Sequence, residues 1–321
     1  MLEYTGKRIW QTFIVLMAVS IIVFVMINAN GDPVQTLLPP DAEQWAVEEL
    51  RESLGLNQPL YIQYFNFIKN AVRGNMGISY YQQVPALNLV LERLPKTMEL
   101  AFAAIIISIL IAIPAGMYAA IKPESIFSRI IMFSSLAGIS LPTFLSGILL
   151  ILIFAVNFSW LPSSGRGEVA QFLGIQSSLF TIDGLKHIIM PASTLGLYMV
   201  AMLIRLVRAG MQEVLKQDYI MFSRAKGMPA KIVYVRHALK NTMIPVITVI
   251  GLQLGRLIAF SMITEKIFAW PGMGKLILDS INRLDRPVIM SYILVIAALF
   301  AAINLIVDLL YYYFDPRIEL G

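Results

Sequence analysis

Long unbroken apolar runs constrain this chain more than any other feature. Six candidates occur, at 9–27, 97–121, 130–156, 188–207, 243–264 and 288–314. About 20 apolar residues in a helix cross the hydrocarbon core of a bilayer. Inside lipid every backbone N–H and C=O needs a partner within the protein, and a helix supplies one for each. The expected fold is therefore an all-α polytopic membrane protein with six transmembrane helices. Composition agrees: 58% of residues are hydrophobic and 14% charged, against about 25% charged in soluble domains. The first run exceeds the roughly 7–15 apolar residues of a signal-peptide core. No small-residue cleavage site clearly follows it, so it reads as a retained span.

The same composition excludes several kinds of chemistry. The chain has no Cys, which removes disulfides, thiolate catalysis and thiolate metal sites. His187 and His237 are too few and too scattered for a His-built metal centre. No Gly-x4-Gly-Lys-Ser/Thr phosphate loop is present; "GMGK" at 272–275 lacks its spacing. No His-Glu-x-x-His or Gly-x-Ser-x-Gly occurs, so neither a membrane protease nor an esterase is supported. The formal charge of +5 is what basic cytoplasmic loops produce, and no nucleic-acid binding is read from it.

Orientation follows from Lys and Arg. With the N-terminus in the cytoplasm, segments 1–8, 122–129, 205–242 and 315–321 hold 13 basic residues in 61 positions. The opposite segments, 28–96, 157–187 and 265–287, hold 11 in 123. The inner density is about twice the outer, as the positive-inside rule requires. Both termini are then inside. Residues 28–96 form an extracytoplasmic helical subdomain, with one helix starting near Asp41 and stopping at Gly55. A second lies between Pro59 and Gly74, and its aromatics Tyr61, Tyr64, Phe65 and Phe67 suit a membrane surface.

The largest inner loop, 209–242, is basic and patterned. Met211, Val214, Leu215, Phe222 and Ala225 share a helical face. Gly227 suits a left-handed C-terminal cap and Pro229 the first turn of a second helix, whose apolar face is Ile232, Val235 and Leu239. Two short helices joined by a Gly-Met-Pro turn serve either as a hairpin on anionic lipid or as a docking element for a cytoplasmic partner.

Few charges fall within the spans. Arg256, placed near the middle of the fifth, costs about 2.5–3.5 kcal/mol at a helix centre. It is expected to face a watery path with Gln253 and Phe260 on its side, or to make an interhelical structural pair. Asp308 is expected to pair with Arg205, though a proton-coupled carrier would also use such a carboxylate. Glu99 is expected to be solvated at the outer interface. Trp10, Trp160 and Trp270 read as interfacial anchors. The turn "FAWPGMGKL" at 268–276 is either a re-entrant hairpin or a structural corner.

"DYIMFSRAKGMPAKIVYVRHALKNTMIPVIT", with "GLNQPLYIQY", "GNMGISY", "RLPKTMELA", "WLPSSGRG", "HIIMPASTLGL", "FAWPGMG" and "FDPRIELG", covers nearly the whole chain. In these stretches the sequence resembles the inner-membrane permease subunits of ATP-binding cassette importers, in their dipeptide/oligopeptide (peptide/nickel) branch. Gly227 matches the glycine of the general permease motif. Met221, Phe222 and Ser223 stand at its Glu-Ala-Ala positions, and Lys240 replaces its proline.

The resemblance implies a type I importer permease fold. Its parts are a tail and first span at 1–27, the insertion at 28–96, a permease core at 97–314 with the coupling loop at 209–242, and a tail at 315–321. It implies that Arg224, Ala225, Lys226, Gly227, Met228 and Pro229 meet a cytoplasmic ATPase. The implied partners are a homologous second permease, two such ATPases, which bind the ATP and Mg, and an extracytoplasmic substrate-binding protein. No cofactor is expected in this chain, which is not itself an enzyme. The expected cargo is a di- or oligopeptide; nickel chelates, glutathione, opines and oligosaccharides are alternatives. A proton-coupled secondary transporter and a membrane scaffold or receptor are the readings from other classes.

Overall fold

In a computed structural model the apolar runs become helices, with ends that differ from those predicted. The structure describes residues 2–29, 34, 37–39, 41–172 and 174–314; the terminal "DPRIELG" lies outside them. Five helical stretches are long and apolar enough to cross a bilayer. They are α1 (Leu2–Ala29), α4 (Ala86–Ile121), α7 (Ile182–Val214), the continuous stretch Ala230–Ala259, and α13 (Arg286–Phe314). Helix α4 begins 11 residues before the predicted span at 97.

The third apolar run is not one helix. It is α5 (Ile126–Ser140) followed by α6 (Thr143–Leu150), which continues as a π-helical turn over Ile151–Asn157, and the two parts are bent by 114°. The cause is Pro142. Its ring disfavours the helical conformation for the residue before it, and Leu141 is extended at φ −78°, ψ 126°. Pro142 then caps the start of α6. The fifth run also departs from expectation. Its helix ends at Ala259 rather than 264, where the Ser261 hydroxyl donates to the Ile258 carbonyl at 3.0 Å and competes with the ladder.

Two short strands add to the all-helical plan. Strands β1 (Ala170–Phe172) and β2 (Ile175–Ser177) pair antiparallel, Gln171 opposite Gln176. In the first outer segment, α2 (Gln44–Ser53) starts after Glu43 rather than at Asp41. Helix α3 (Leu60–Ala71) starts after Pro59, and Gly55 and Gly74 follow the two helices with positive φ.

Two units can be distinguished, one drawn mainly from the first 96 residues with Pro271–Asp308, the other from Thr97–Trp270. In the second, α7 packs against α5, α6, α10 (Lys240–Ala259) and α11 (Met262–Ile267). Helices in lipid gain no hydrophobic drive from association and use small residues for close approach. Gly196 of α7 does so: a Cβ there would lie 2.7 Å from Ser108 Oγ and 3.0 Å from the Ala104 carbonyl of α4. In the first unit, Asp285, between α12 (Met273–Asn282) and α13, is buried and accepts from Ser79 Oγ at 2.5 Å and Tyr80 N–H at 3.2 Å. Burial pushes the Tyr80 phenol up; Arg286 opposes the shift and Asp285 adds to it.

Candidate functional site

The basic loop folds as a capped hairpin. Its first arm is α8 (Asp218–Ala225), closed by Lys226. Gly227 has φ +73°, a conformation open to glycine and strained for other residues. Its N–H donates to the Arg224 carbonyl at 2.9 Å, and the Met228 N–H donates to the Ser223 carbonyl at 3.3 Å. These two bonds are the paired closures of a Schellman cap, as the placement of Gly227 in the sequence suggested. Pro229 opens the second arm, α9 (Ala230–Ile232), which passes through a π-helical segment, Val233–Leu239, into α10. From Ala230 to Ala259 the helix is continuous, so the second arm is the beginning of the fifth span.

Arg224, Ala225, Lys226, Gly227, Met228 and Pro229 are all exposed. The Lys226 ammonium sits 4.5 Å from the Phe222 ring centre and the Arg224 guanidinium 5.9 Å from that of Tyr234. Asn241 Nδ2 donates to Tyr219 OH at 2.6 Å and ties the two arms. The predicted apolar faces are corrected. Phe222 is 61% exposed, and Ile232 and Val235 are exposed too. The buried residues are Ile220 and Ser223 in one arm and Val233 and Ala238 in the other. The non-helical step between Val214 and Asp218 re-phases the first arm. In the second, π-helical i→i+5 bonding aligns residues five apart, as Val233 and Ala238 are. Phe222, Met221 and Met228 therefore form an exposed apolar patch beside Arg224 and Lys226.

The predicted path residues are brought together only in part. Arg256 lies in the last turn of α10, not mid-span. A cation at a helix C-terminus is favoured by the helix dipole. Arg256 and Phe260 are both exposed, one turn apart. Gln253 is buried and its Nε2 donates to Met202 Sδ of α7 at 3.4 Å. Arg205 is exposed on α7, whereas the Asp308 side chain lies outside those described, so their pairing does too. On the same helix, the Arg208 Nε is buried without a hydrogen-bond partner among the described residues.

Two outer residues behave differently from expectation. Glu99 is buried, not solvated, and its carboxylate is gripped by Arg166 and the Ser177–Ser178 turn. Trp270 is fully buried rather than interfacial. Its backbone N–H donates to the Glu265 carbonyl at 2.8 Å, and the Phe268 carbonyl accepts from the Gly165 N–H at 2.8 Å. The stretch Phe268–Trp270 is thus a structural corner. Trp10 and Trp160 are exposed, as anchors would be. Sequence reading missed Glu265, which is fully buried and accepts from Thr97 Oγ1 at 2.7 Å and Ser261 Oγ at 2.9 Å. Its signal was an acidic residue at the end of an apolar run.

Comparison with known proteins follows this geometry. The family described as binding-protein-dependent transport system inner membrane component matches residues 112–320. The corresponding N-terminal family matches residues 1–101. The dipeptide transport system permease protein of Alkalihalophilus pseudofirmus is 39% identical over 99% of this chain and 100% of that relative. The di/tripeptide transport system permease protein of Pseudomonas aeruginosa is 38% identical over 99% of each. The glutathione transport system permease protein of Escherichia coli K12 is 37% identical over 99% of each. Among solved structures, the MetNI methionine ABC transporter in an inward-facing conformation matches with a TM-score of 0.55 at 16% identity, over 71% of this chain and 96% of that one. That likeness is one of fold.

Proposed function

The chain belongs to the binding-protein-dependent transport system inner membrane component family, and from that premise we propose that it forms the path for di- and oligopeptides with a homologous second permease. As a multi-pass membrane component of an ATP-binding cassette importer, it works with a substrate-binding protein and ATPase subunits. In the proposed assembly two ATPases bind ATP and Mg, and this chain carries no cofactor. Their closure opens the cavity outward, and hydrolysis resets it.

The observation that carries this reading is the capped hairpin. Its exposed turn presents two cations and an apolar patch, and its second arm enters the fifth span without a break. A push on Arg224–Pro229 is thereby delivered to the outer end of the same helix. There Arg256 and Phe260 are proposed to line the path, Arg256 meeting the peptide carboxylate with its forked guanidinium.

Peptide cargo is supported by the relatives named for dipeptides and di/tripeptides. A second cargo, glutathione, is supported by the Escherichia coli relative and is itself a small peptide with free carboxylates. The test is reconstitution of the chain with its co-purifying partners in vesicles. ATP-dependent uptake of a radiolabelled dipeptide, competed by other short peptides, is the expected result. Recovery of the chain without any ATPase, or uptake driven by a proton gradient alone, overturns the reading. Arg256→Gln should slow uptake of free peptides more than of amidated ones. Equal effects on both remove Arg256 from recognition.

A further inference from the structure

Helix α3 lies along the outer part of α1. Tyr64 OH and Ser20 Oγ are 2.8 Å apart, and Phe24 meets the Tyr64 and Phe67 rings at 5.3 Å and 6.3 Å. Ser20 stands nine residues before Ala29, about 13 Å along a helix axis at 1.5 Å per residue. A helix that packs on a membrane span this far below its outer end lies against the bilayer, not in bulk water. Its outward face agrees. Tyr61, Phe65 and Val72 are 74%, 68% and 84% exposed, a stripe that water does not favour and an interface does.

Between α3, the outer end of α1 and the outer start of α13 is a cavity of about 240 Å³. Its wall combines Arg286 with Asn28, Asn66, Asn70 and Tyr80, and Phe24 and Phe67 form its apolar side. Arg286 Nη1 donates to Asn28 Oδ1 at 2.9 Å, which fixes the guanidinium at the ends of both spans. The neighbouring Asp285 carboxylate is taken up by Ser79 and Tyr80 N–H. Near this cavity, Ile21, Ile22, Val25 and Met26 of α1 are exposed. A polar mouth with a cation and amides, beside an exposed apolar wall, matches the two halves of one molecule. A soluble solute has no use for the wall.

We propose that this cavity holds the phosphate headgroup of an outer-leaflet anionic phospholipid, its acyl chains lying along α1. The volume accommodates a phosphate and a short polyol but no acyl chain. The site is separate from the basic hairpin and from the path, and the proposal needs only the membrane placement of α1 and α13. Its role would be to seat the insertion at a set height on the bilayer.

The experiment is native mass spectrometry of the intact transporter, delipidated in detergent and titrated with phosphatidylglycerol, phosphatidylcholine or soluble glycerol phosphate. Phosphatidylglycerol is expected to bind at one saturable site, with glycerol phosphate failing to compete. Arg286→Gln should weaken that site about tenfold, the loss of one charge-assisted hydrogen bond. Because that change also removes the bond to Asn28, Asn70→Leu serves as the second variant: it leaves that bond in place and should also weaken the site. Equal phosphatidylglycerol binding by wild type and both variants overturns the proposal. So does full competition by glycerol phosphate, which makes the cavity a soluble phosphate site, or displacement of the lipid by short peptides.

Discussion

Arg166 closes over Glu99 with two hydrogen bonds to a single carboxylate oxygen, Oε2, while Oε1 accepts from Ser177 Oγ, Ser178 N–H and Ser178 Oγ. The two side chains are only 12% and 6% exposed. The pair ties the start of the second span to the loop that carries β1 and β2. Removing one partner of a buried ion pair costs about 3–5 kcal/mol, because the other charge stays buried. Arg166→Ala should therefore lower the unfolding temperature sharply, and Glu99→Gln less, since Arg166, though it loses its anion, keeps the Gln176 carbonyl at 3.1 Å and the new amide oxygen as acceptors. The pair of single changes and the double change Arg166→Ala/Glu99→Gln form a cycle. Purely additive losses in thermal unfolding would show that the contact carries no coupling.

Gly227 is where coupling should be most sensitive to backbone chemistry. Proline there cannot reach φ +73° and removes the N–H that closes on Arg224. Gly227→Pro is expected to insert normally and to abolish peptide uptake while ATP hydrolysis continues. Gly227→Ala keeps the N–H and meets only the left-handed penalty of about 1–2 kcal/mol, so it should transport at a reduced rate. Uptake by the proline variant at the wild-type rate would falsify the coupling role of the turn.

The sequence made the apolar runs and the Gly227 turn legible, because each rests on a local signal: run length, and a glycine ahead of a proline. It did not reveal which side of the hairpin is buried. That depended on the π-helical winding of Val233–Leu239, whose five-residue alignment no 3.6-residue pattern anticipates. Pro142 is a local sign of a kink, but the size of the bend, 114°, is not written in any local pattern. Burial of Glu99, Glu265 and Trp270 arises from residues far away in sequence, such as Arg166 and Thr97, and no local pattern encodes it. Arg256 stands out in the sequence as a charge within an apolar run, but its place in the last turn follows from where the helix ends.

Close helix contact at Gly196 gives a test of the packing within the Thr97–Trp270 unit. A Cβ would collide with Ser108 Oγ and the Ala104 carbonyl, and the backbone atom cannot swing away. Gly196→Val is expected to destabilise by about 1–3 kcal/mol, the usual cost of overpacking. Ser108→Ala opens only part of the contact, so it should rescue Gly196→Val incompletely. The check is the unfolding midpoint of each variant in detergent. A Gly196→Val protein as stable as wild type would mean that α4 and α7 are not in contact as described.

Tyr80 gives the pH dependence. Its folded pKa is raised above the ordinary 10.0, chiefly by burial, so the folded chain holds the phenolic proton more tightly than the unfolded chain. Well below pH 10 both states keep the proton and the stabilisation is fully present. As pH rises through the unfolded value, the unfolded chain releases its proton first, and stability is lost until the folded pKa is passed. Between pH 9 and 11 the unfolding midpoint of wild type should therefore fall more steeply than that of Tyr80→Phe, which has no proton to release. Parallel curves would show that Tyr80 titrates alike in both states. Arg286→Gln removes the cation that opposes the shift, so it should move the Tyr80 titration, followed by phenolate absorbance against Tyr80→Phe, to still higher pH.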